Sequence, residues 1–168
     1  MQLSPQDLPQ ASTMTQFLKF NVSPDMTALL PVDQLVAVLK IEASKITAMP
    51  HLPPWVMGIY NWRGEVLWMV DTAKLLGVSP WQQQPMLTAR YDVLLLEKQL
   101  SEETAERCCL GLWVRQVEGI ELLSLDVIQS PTVASEALVP FLRGYWLNSA
   151  GEMLTLLDSP AIFDRMPA

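Results

Sequence analysis

Hydrophobic and polar residues alternate along several short segments of the chain, and a period of two is typical of half-buried β-strands. Residues 17–22 (Phe-Leu-Lys-Phe-Asn-Val) alternate in this way. Two further β-rich segments, Tyr91 to Glu97 and Cys108 to Val114, flank the polar residues 98–107 and predict a hairpin with a long loop. Val66 to Val70 is apolar on both faces, which predicts a strand buried between two layers.

Signals for helices are few and short. The segment from Asp71 to Gly77 starts with a capping aspartate and ends at a glycine, so it predicts one capped helical turn. Asp158 to Phe163 predicts a second such turn with Asp158 as its cap, and Glu102 to Arg107 predicts a third. Many short strands with little helix indicate an all-β protein built from small barrels or a sandwich.

The chain also contains an internal repeat. The motif Gly-Glu-x-Leu-x-x-x-Asp occurs at residues 64–71 and again at 151–158, and a second match relates residues 32–38 to 114–120. The two offsets, 87 and 82 residues, nearly agree, and Gly58 and Gly144 precede the motif in both repeats. We interpret the repeat as two related β units that pack together, because roughly 70 residues alone bury little surface. Coincidence between β-rich segments is the alternative.

Composition narrows the function. The chain is 50% hydrophobic and 17% charged, which excludes a disordered protein, and its net charge of −7 argues against nucleic-acid binding. Residues 1–14 lack the basic start and apolar stretch of a signal peptide and predict a flexible tail. The longest uncharged segment, residues 46–62, is interrupted by prolines, so no membrane insertion is expected.

Few residues are suited to catalysis. His51, the one histidine, stands in a proline-rich loop without a partner nucleophile. Cys108 and Cys109 are adjacent, which disfavours a disulfide between them, and no further ligands complete a zinc site, so reduced thiols and a cytoplasmic protein are expected. Asp71 and Asp158 could form the carboxylate pair of a small enzyme, but their equivalent places in the repeat favour helix caps. We therefore expect no enzymatic activity, no metal and no cofactor.

The most unusual segment runs from Leu52 to Glu65. Two prolines fix an extended approach, and Asn61-Trp62-Arg63-Gly64 has the composition of a β-turn that holds Arg63 at its tip. Arginine and tryptophan are enriched at the hot spots of protein interfaces. The structural alternative is that Arg63 stacks on a tryptophan or pairs with Glu65.

Within this segment the chain resembles a known family. Residues 49–77 contain a proline-led loop, then Gly58-Ile59-x-Asn61-x-Arg63-Gly64, a strand ending in Val70-Asp71, and Leu75-Leu76-Gly77. Residues 111–120 and Leu142-Arg143-Gly144 agree further, so the resemblance extends from Thr15 to Phe163. The sequence is similar to CheW-like domains, the adaptors of bacterial chemosensory arrays. Its tryptophan-rich motif most resembles cyanobacterial versions that direct pilus-based motility and phototaxis.

The resemblance implies two packed five-stranded SH3-like β-barrels with a few short helical turns. It implies a single CheW-like domain over residues 15–168, with subdomains of about 15–85 and 86–168. The implied function is that of a non-catalytic adaptor between a methyl-accepting chemotaxis or phototaxis receptor and a CheA-like histidine kinase. Such an adaptor is cytoplasmic and is recruited to receptor arrays at the membrane. The alternative is a standalone CheW-like regulator of a motility or second-messenger pathway that acts without a receptor.

The resemblance also implies which residues meet partners. They lie either in the central motif or at apolar positions near the groove between the barrels, where the family receives the receptor's helical hairpin. Leu35 and Ile120 are taken as equivalent in the two repeats. The expected partner-binding residues are Arg63, Gly58, Gly64, Trp62, Leu35 and Ile120.

The chain departs from the family pattern at three positions. Trp62 replaces the usual leucine of the turn motif, and Thr72 replaces the leucine after Val-Asp. Ala37 stands where many relatives carry an acidic residue. The loss of that carboxylate implies a partner with a more apolar face.

Overall fold

The computed structural model describes residues 14–78, 90–103, 106–130 and 138–166, and strands dominate it. The strands are β1 Met14–Ser23, β2 Met26–Pro31, β3 Leu35–Glu42, β4 Val56–Trp62, β5 Glu65–Asp71, β6 Arg90–Gln99, β7 Arg107–Val114, β8 Gln116–Ser124, β9 Leu142–Leu147 and β10 Met153–Leu157. Two short α-helices, α1 (Thr72–Leu76) and α2 (Ser159–Phe163), follow β5 and β10. The predicted all-β class is confirmed. Of the expected tail, residues 1–13 lie outside the described residues.

The strands form two five-stranded sheets. Their order is β8-β1-β2-β10-β9 in sheet 1 and β3-β6-β7-β5-β4 in sheet 2. Each sheet is antiparallel except for one parallel pair, β2 with β10 and β5 with β7. The chain after β3 pairs Thr47 with Ile59 of β4, and the chain after β8 pairs Gln129 with Tyr145 of β9. Each sheet is therefore closed on itself, in agreement with two small barrels.

The sheets do not follow the two halves of the chain. Sheet 2 is built from the continuous segment 35–114, whereas sheet 1 joins the hairpin β1–β2 to strands β8, β9 and β10. Each sequence repeat thus places its first two strands in one sheet and its last three in the other. The expected boundary near residue 85 falls between β5 and β6, within the segment that forms sheet 2, and does not separate the barrels.

Gly58 and Gly144 show why both repeats have a glycine before the motif. A Cβ at Gly58 would lie 2.1 Å from the carbonyl oxygen of Thr47, and one at Gly144 would lie 2.5 Å from that of Gln129. In both barrels the closing segment crosses directly over the glycine. The residue after each glycine exchanges two backbone hydrogen bonds with that segment. The repeat is therefore structural and not a coincidence of composition.

The largest core lies between the two sheets. Side chains from both sheets and both helices are fully buried there, including Phe20, Leu30, Leu94, Leu112 and Ile162. A smaller core fills the interior of each barrel. Burial of each large apolar side chain contributes roughly 2 kcal/mol to stability. Strand β6 contributes alternate residues to two cores, which explains its continuous run of apolar residues.

The two predicted caps differ in detail. Asp71 caps α1, because its Oδ1 accepts the Lys74 N–H at 3.2 Å, and Gly77 ends the helix with a φ of 70°. Asp158 occupies the equivalent position before α2, but its side chain accepts no capping hydrogen bond. The prediction that Asp158 acts as a side-chain cap is therefore wrong. Pro160 in the first turn lacks one of the two N–H groups that a cap can bind.

Two other expectations need correction. The described part of residues 102–107 contains no helix, since residues 102–103 form a bend and β7 already begins at Arg107. Val66 is 58% exposed, so β5 is not buried along its whole length. The reason is that Val66 precedes Leu67, where the pairing of β5 with β7 begins. No helix in the described residues is both long and apolar enough to span a bilayer.

Candidate partner-binding surface

The turn between β4 and β5 holds Arg63 at its tip, as the sequence predicts. Arg63 and Gly64 have φ values of 51° and 82°, so both central residues are left-handed, as in a type I′ turn. The Asn61 side-chain oxygen accepts the Gly64 N–H at 3.0 Å. Glycine adopts this conformation without strain, whereas it costs arginine roughly 1 kcal/mol. The turn itself therefore does not explain the presence of an arginine.

Arg63 stacks on its neighbour. The guanidinium carbon lies 4.9 Å from the centroid of the Trp62 ring, which is the expected stacking alternative. Trp62 is half-buried and packs against the interior core of sheet 2, as does Ala37 of β3. Arg63 itself is exposed and forms no salt bridge with any described residue. Glu65, the alternative partner, accepts a hydrogen bond from the Cys109 thiol at 3.1 Å. The turn thus presents an exposed cation that Trp62 orients.

The two glycines of the motif have different surroundings. Gly64 is exposed at the turn, where no atom of the described residues would contact an added Cβ. Gly58 is buried beneath Thr47 and cannot touch a partner. Any effect of Gly58 on partner binding must therefore act through the shape of the barrel.

A second exposed feature follows strands β3 and β8, each of which stands at the start of the strand order of its sheet. Val36 and Val38 of β3 are 46% and 45% exposed, and Ile120 and Leu122 of β8 are 57% and 56% exposed. We call these four residues the apolar stripe. Exposed apolar side chains that lie together on a protein surface often mark sites of interaction with other chains. The stripe therefore marks a surface suited to a partner.

Leu35 and Ile120 are not equivalent in the structure. Ile120 corresponds to Val38 instead. Ile120 occupies the same position in the pairing of β8 with β1 that Val38 occupies in the pairing of β3 with β6. Leu35 corresponds to Val117, and both are half-buried against the core between the sheets. Sequence reasoning overlooked Val36, Val38 and Leu122 as exposed apolar residues. The repeat alignment could have identified Val38, since it already aligns Val38 with Ile120.

A single carboxylate connects the two strands of the stripe. Asp92 of β6 forms a salt bridge with Lys40 of β3 through one oxygen. Its other oxygen accepts the backbone N–H of Val117, in β8, at 2.8 Å. Asp92 is only 7% exposed. Strands β3 and β8 belong to different sheets, so this contact joins one barrel to the other.

Three glutamates, two of them in β8, surround a lysine of β1. The Nζ atom of Lys19 lies 3.4 Å from a carboxylate oxygen of Glu118, 4.0 Å from one of Glu121 and 3.4 Å from one of Glu152. Burial lowers the pKa of Lys19, but the hydrogen bond to Glu152 and the charges of Glu152 and Glu118 outweigh it, so the pKa lies above its usual value. Lys19 thus stays charged and holds β8 against β1.

Two side chains with possible catalytic chemistry, Asp71 and Cys109, have structural surroundings instead. Asp71 is used as a helix cap, and burial raises its pKa. Burial, followed by the hydrogen bond to Glu65, raises the pKa of Cys109 to about 12, so this thiol is not a nucleophile at neutral pH. The described residues contain no group of three or more metal-binding side chains.

Comparisons with known proteins agree with this architecture. A family model described as "CheW-like domain" matches residues 16–166. A "Probable chemotaxis protein CheW" of Rhizobium etli is 32% identical over 120 residues, which are 71% of this chain and 70% of that protein. The "Chemotaxis protein CheW" of Rhizobium meliloti is 30% identical over 131 residues, 77% of each. The crystal structure of the scaffolding protein TtCheW from Thermoanaerobacter tengcongensis has the same fold, with a TM-score of 0.68, 18% identity and coverage of 86% and 88%.

Proposed function

Because this chain belongs to the CheW-like domain family, we propose that it is a non-catalytic adaptor that couples a methyl-accepting chemotaxis or phototaxis receptor to a CheA-like histidine kinase. A scaffold role in chemotaxis follows from the family. The apolar stripe is the observation that supports the receptor-binding part of the proposal. The cytoplasmic tip of such a receptor is a helical hairpin, and an amphipathic helix binds through its apolar face to apolar surfaces of its partner.

Arg63 is the second element of the proposed site. Its side chain is exposed, carries no salt bridge within the described residues and is oriented by Trp62. A pre-oriented arginine loses less conformational entropy on binding and donates several hydrogen bonds to carboxylates or carbonyl groups. We assign Arg63 to the polar contacts of the assembly and the stripe to its apolar contacts.

Co-sedimentation tests the proposal. The receptor's cytoplasmic fragment is arrayed on vesicles, and the kinase and this chain are added together and separately. Val38→Glu and Ile120→Glu should abolish co-sedimentation with the receptor, because each places a charge in an apolar contact. Leu147→Glu is the matched control, since Leu147 is 53% exposed on β9 and lies outside the stripe.

The outcomes separate the two functions considered. Loss of receptor binding in the two stripe variants, with normal binding in the control, supports the adaptor. If the unmodified chain binds the kinase or another regulator but no receptor, the standalone regulator is correct and the adaptor proposal fails. Equal binding by all variants would show that the stripe is not the receptor site.

The narrower setting that we propose is pilus-based motility and phototaxis, in the cytoplasm at membrane receptor arrays. Its support is the tryptophan-rich sequence around residues 53–65 alone. Deletion of the gene should then remove directed surface movement while pili are still assembled. Normal directed movement of the deletion strain would overturn this setting and leave the adaptor proposal intact.

A further inference from the structure

We propose that Asp92 is a positioning residue that sets the separation of the two halves of the apolar stripe. The inference rests on the proposed function, since the stripe is the proposed receptor site. One oxygen of Asp92 pairs with Lys40 at the end of β3, and the other accepts the Val117 N–H at the start of β8 at 2.8 Å. Val36 and Val38 precede Lys40 on β3, and Ile120 follows Val117 on β8, so the carboxylate joins the two strands that carry the halves of the stripe.

The start of β8 needs such an anchor. The chain passes from β7 in sheet 2 to β8 in sheet 1 through one residue, Arg115, whose N–H donates to the Asn21 carbonyl of β1 at 2.9 Å. Beyond it, the pairing of β8 with β1 shifts at Val117 to Gly119, which marks a bulge. A bulge weakens the ladder locally. The hydrogen bond from Val117 to Asp92 therefore fixes β8 to sheet 2 directly beside this bulge.

The two contacts of Asp92 differ in strength. Lys40 is 64% exposed along its side chain, so water and salt screen its attraction to the carboxylate. The Val117 N–H is partly buried, and a hydrogen bond from a buried amide to a charged acceptor is stronger and more directional. The interaction with Val117 should therefore carry most of the positioning, and Lys40 should contribute less.

Variants of Asp92 can separate positioning from folding. Asp92→Asn keeps an acceptor for the Val117 N–H and removes the charge, Asp92→Leu removes both contacts, and Asp92→Ser is the smaller alternative if the leucine variant does not fold. Lys40→Met leaves the Val117 hydrogen bond in place and serves as the matched control. Circular dichroism and urea unfolding identify the folded variants.

The separation is measured without any partner. Spin labels are attached at Val36→Cys and Ile120→Cys in a Cys108→Ser, Cys109→Ala background, and their distance distribution is determined by double electron–electron resonance. Asp92→Leu or Asp92→Ser should broaden or lengthen the distribution, whereas Asp92→Asn and Lys40→Met should leave it narrow. A distribution unchanged in a folded Asp92→Leu or Asp92→Ser variant would overturn the inference.

Receptor affinity is measured on unlabelled chains with native cysteines. Asp92→Leu or Asp92→Ser should weaken binding of the receptor hairpin about tenfold, with rescue in Asp92→Asn. Equal affinity in all folded variants would also overturn the inference. If the unmodified chain binds no receptor hairpin while the distance distribution still depends on Asp92, the proposed function fails but the structural role of Asp92 stands.

Discussion

The Arg63 guanidinium lies 4.9 Å above the Trp62 ring, in a turn where the arginine backbone is left-handed. The backbone at this position favours asparagine or glycine, whereas the side chain fits a partner-binding role. Stability and binding therefore make different demands on the same residue. A substitution that suits the turn should separate them.

Arg63→Asn should leave the free energy of unfolding within about 0.5 kcal/mol of the original, because relief of backbone strain offsets the lost stacking on Trp62. Binding in the receptor–kinase assembly should weaken about tenfold or more, as for an interface arginine. Urea unfolding and co-sedimentation measure the two quantities. Arg143→Asn removes an exposed arginine of β9 and controls for charge alone. Unchanged binding in Arg63→Asn would remove Arg63 from the site.

Gly58→Ala should destabilise the fold by about 3 kcal/mol or more, because overpacking and backbone strain act together. The new methyl group would meet the Thr47 carbonyl at 2.1 Å, and the φ of Gly58 is 143°. Gly151→Ala is the control, since Gly151 has a φ of 83° and none of the described atoms lies near the added Cβ. The control should cost roughly 1 kcal/mol in thermal or urea unfolding. Equal losses would show that the crossing over Gly58 is not tight.

Thr72→Val should stabilise the protein by about 1 kcal/mol or leave it unchanged, because the substitution removes a buried hydroxyl without changing the shape of the side chain. Thr72 is fully buried, and its hydroxyl has no hydrogen-bond partner among the residues that the structure describes. Thr27→Val is the matched control, because the Thr27 hydroxyl accepts a hydrogen bond from Asn21 at 2.8 Å. The control should lose about 1 kcal/mol in urea unfolding. A loss of similar size in Thr72→Val would show that its hydroxyl is satisfied.

Stability should fall in alkali because of Cys109. The pKa of its thiol is raised from 9.0 to about 12 in the fold, mainly by burial. A group that binds its proton more tightly in the folded state stabilises the fold at a pH below its unfolded pKa. This contribution is lost as the pH rises from the unfolded pKa to the folded pKa. Between pH 8 and pH 10 the loss should be about 1 kcal/mol.

Cys109→Ala should flatten this pH dependence, whereas Cys108→Ala should keep the Cys109 contribution. Urea unfolding at the two pH values gives the difference for each chain. Parallel losses in the original chain and in Cys109→Ala would contradict the raised pKa.

The strands and the turn around Arg63 could be predicted because they depend on neighbouring residues. Alternation identified β1, and the Asn-x-x-Gly composition identified the turn. The exchange of strands between sheets could not be predicted, since the sequence repeat is the same whether its last three strands remain with the first two or cross over. Asp92 was missed for a similar reason. Its role depends on Val117, which the fold brings from the other sheet, and no local pattern around Asp92 indicates that contact.

The interleaving of the two sheets sets the order in which the protein can form during synthesis. All five strands of sheet 2 have left the ribosome once Val114 has emerged from it, so this barrel can assemble early. The β1–β2 hairpin emerges first but must wait for β10, its parallel neighbour, before its sheet is complete. Contacts of such long sequence separation form late and slowly. Strands β1 and β2 are therefore made before the other described strands but are among the last to complete their pairing, and the nascent chain must keep their apolar faces from non-native contacts meanwhile.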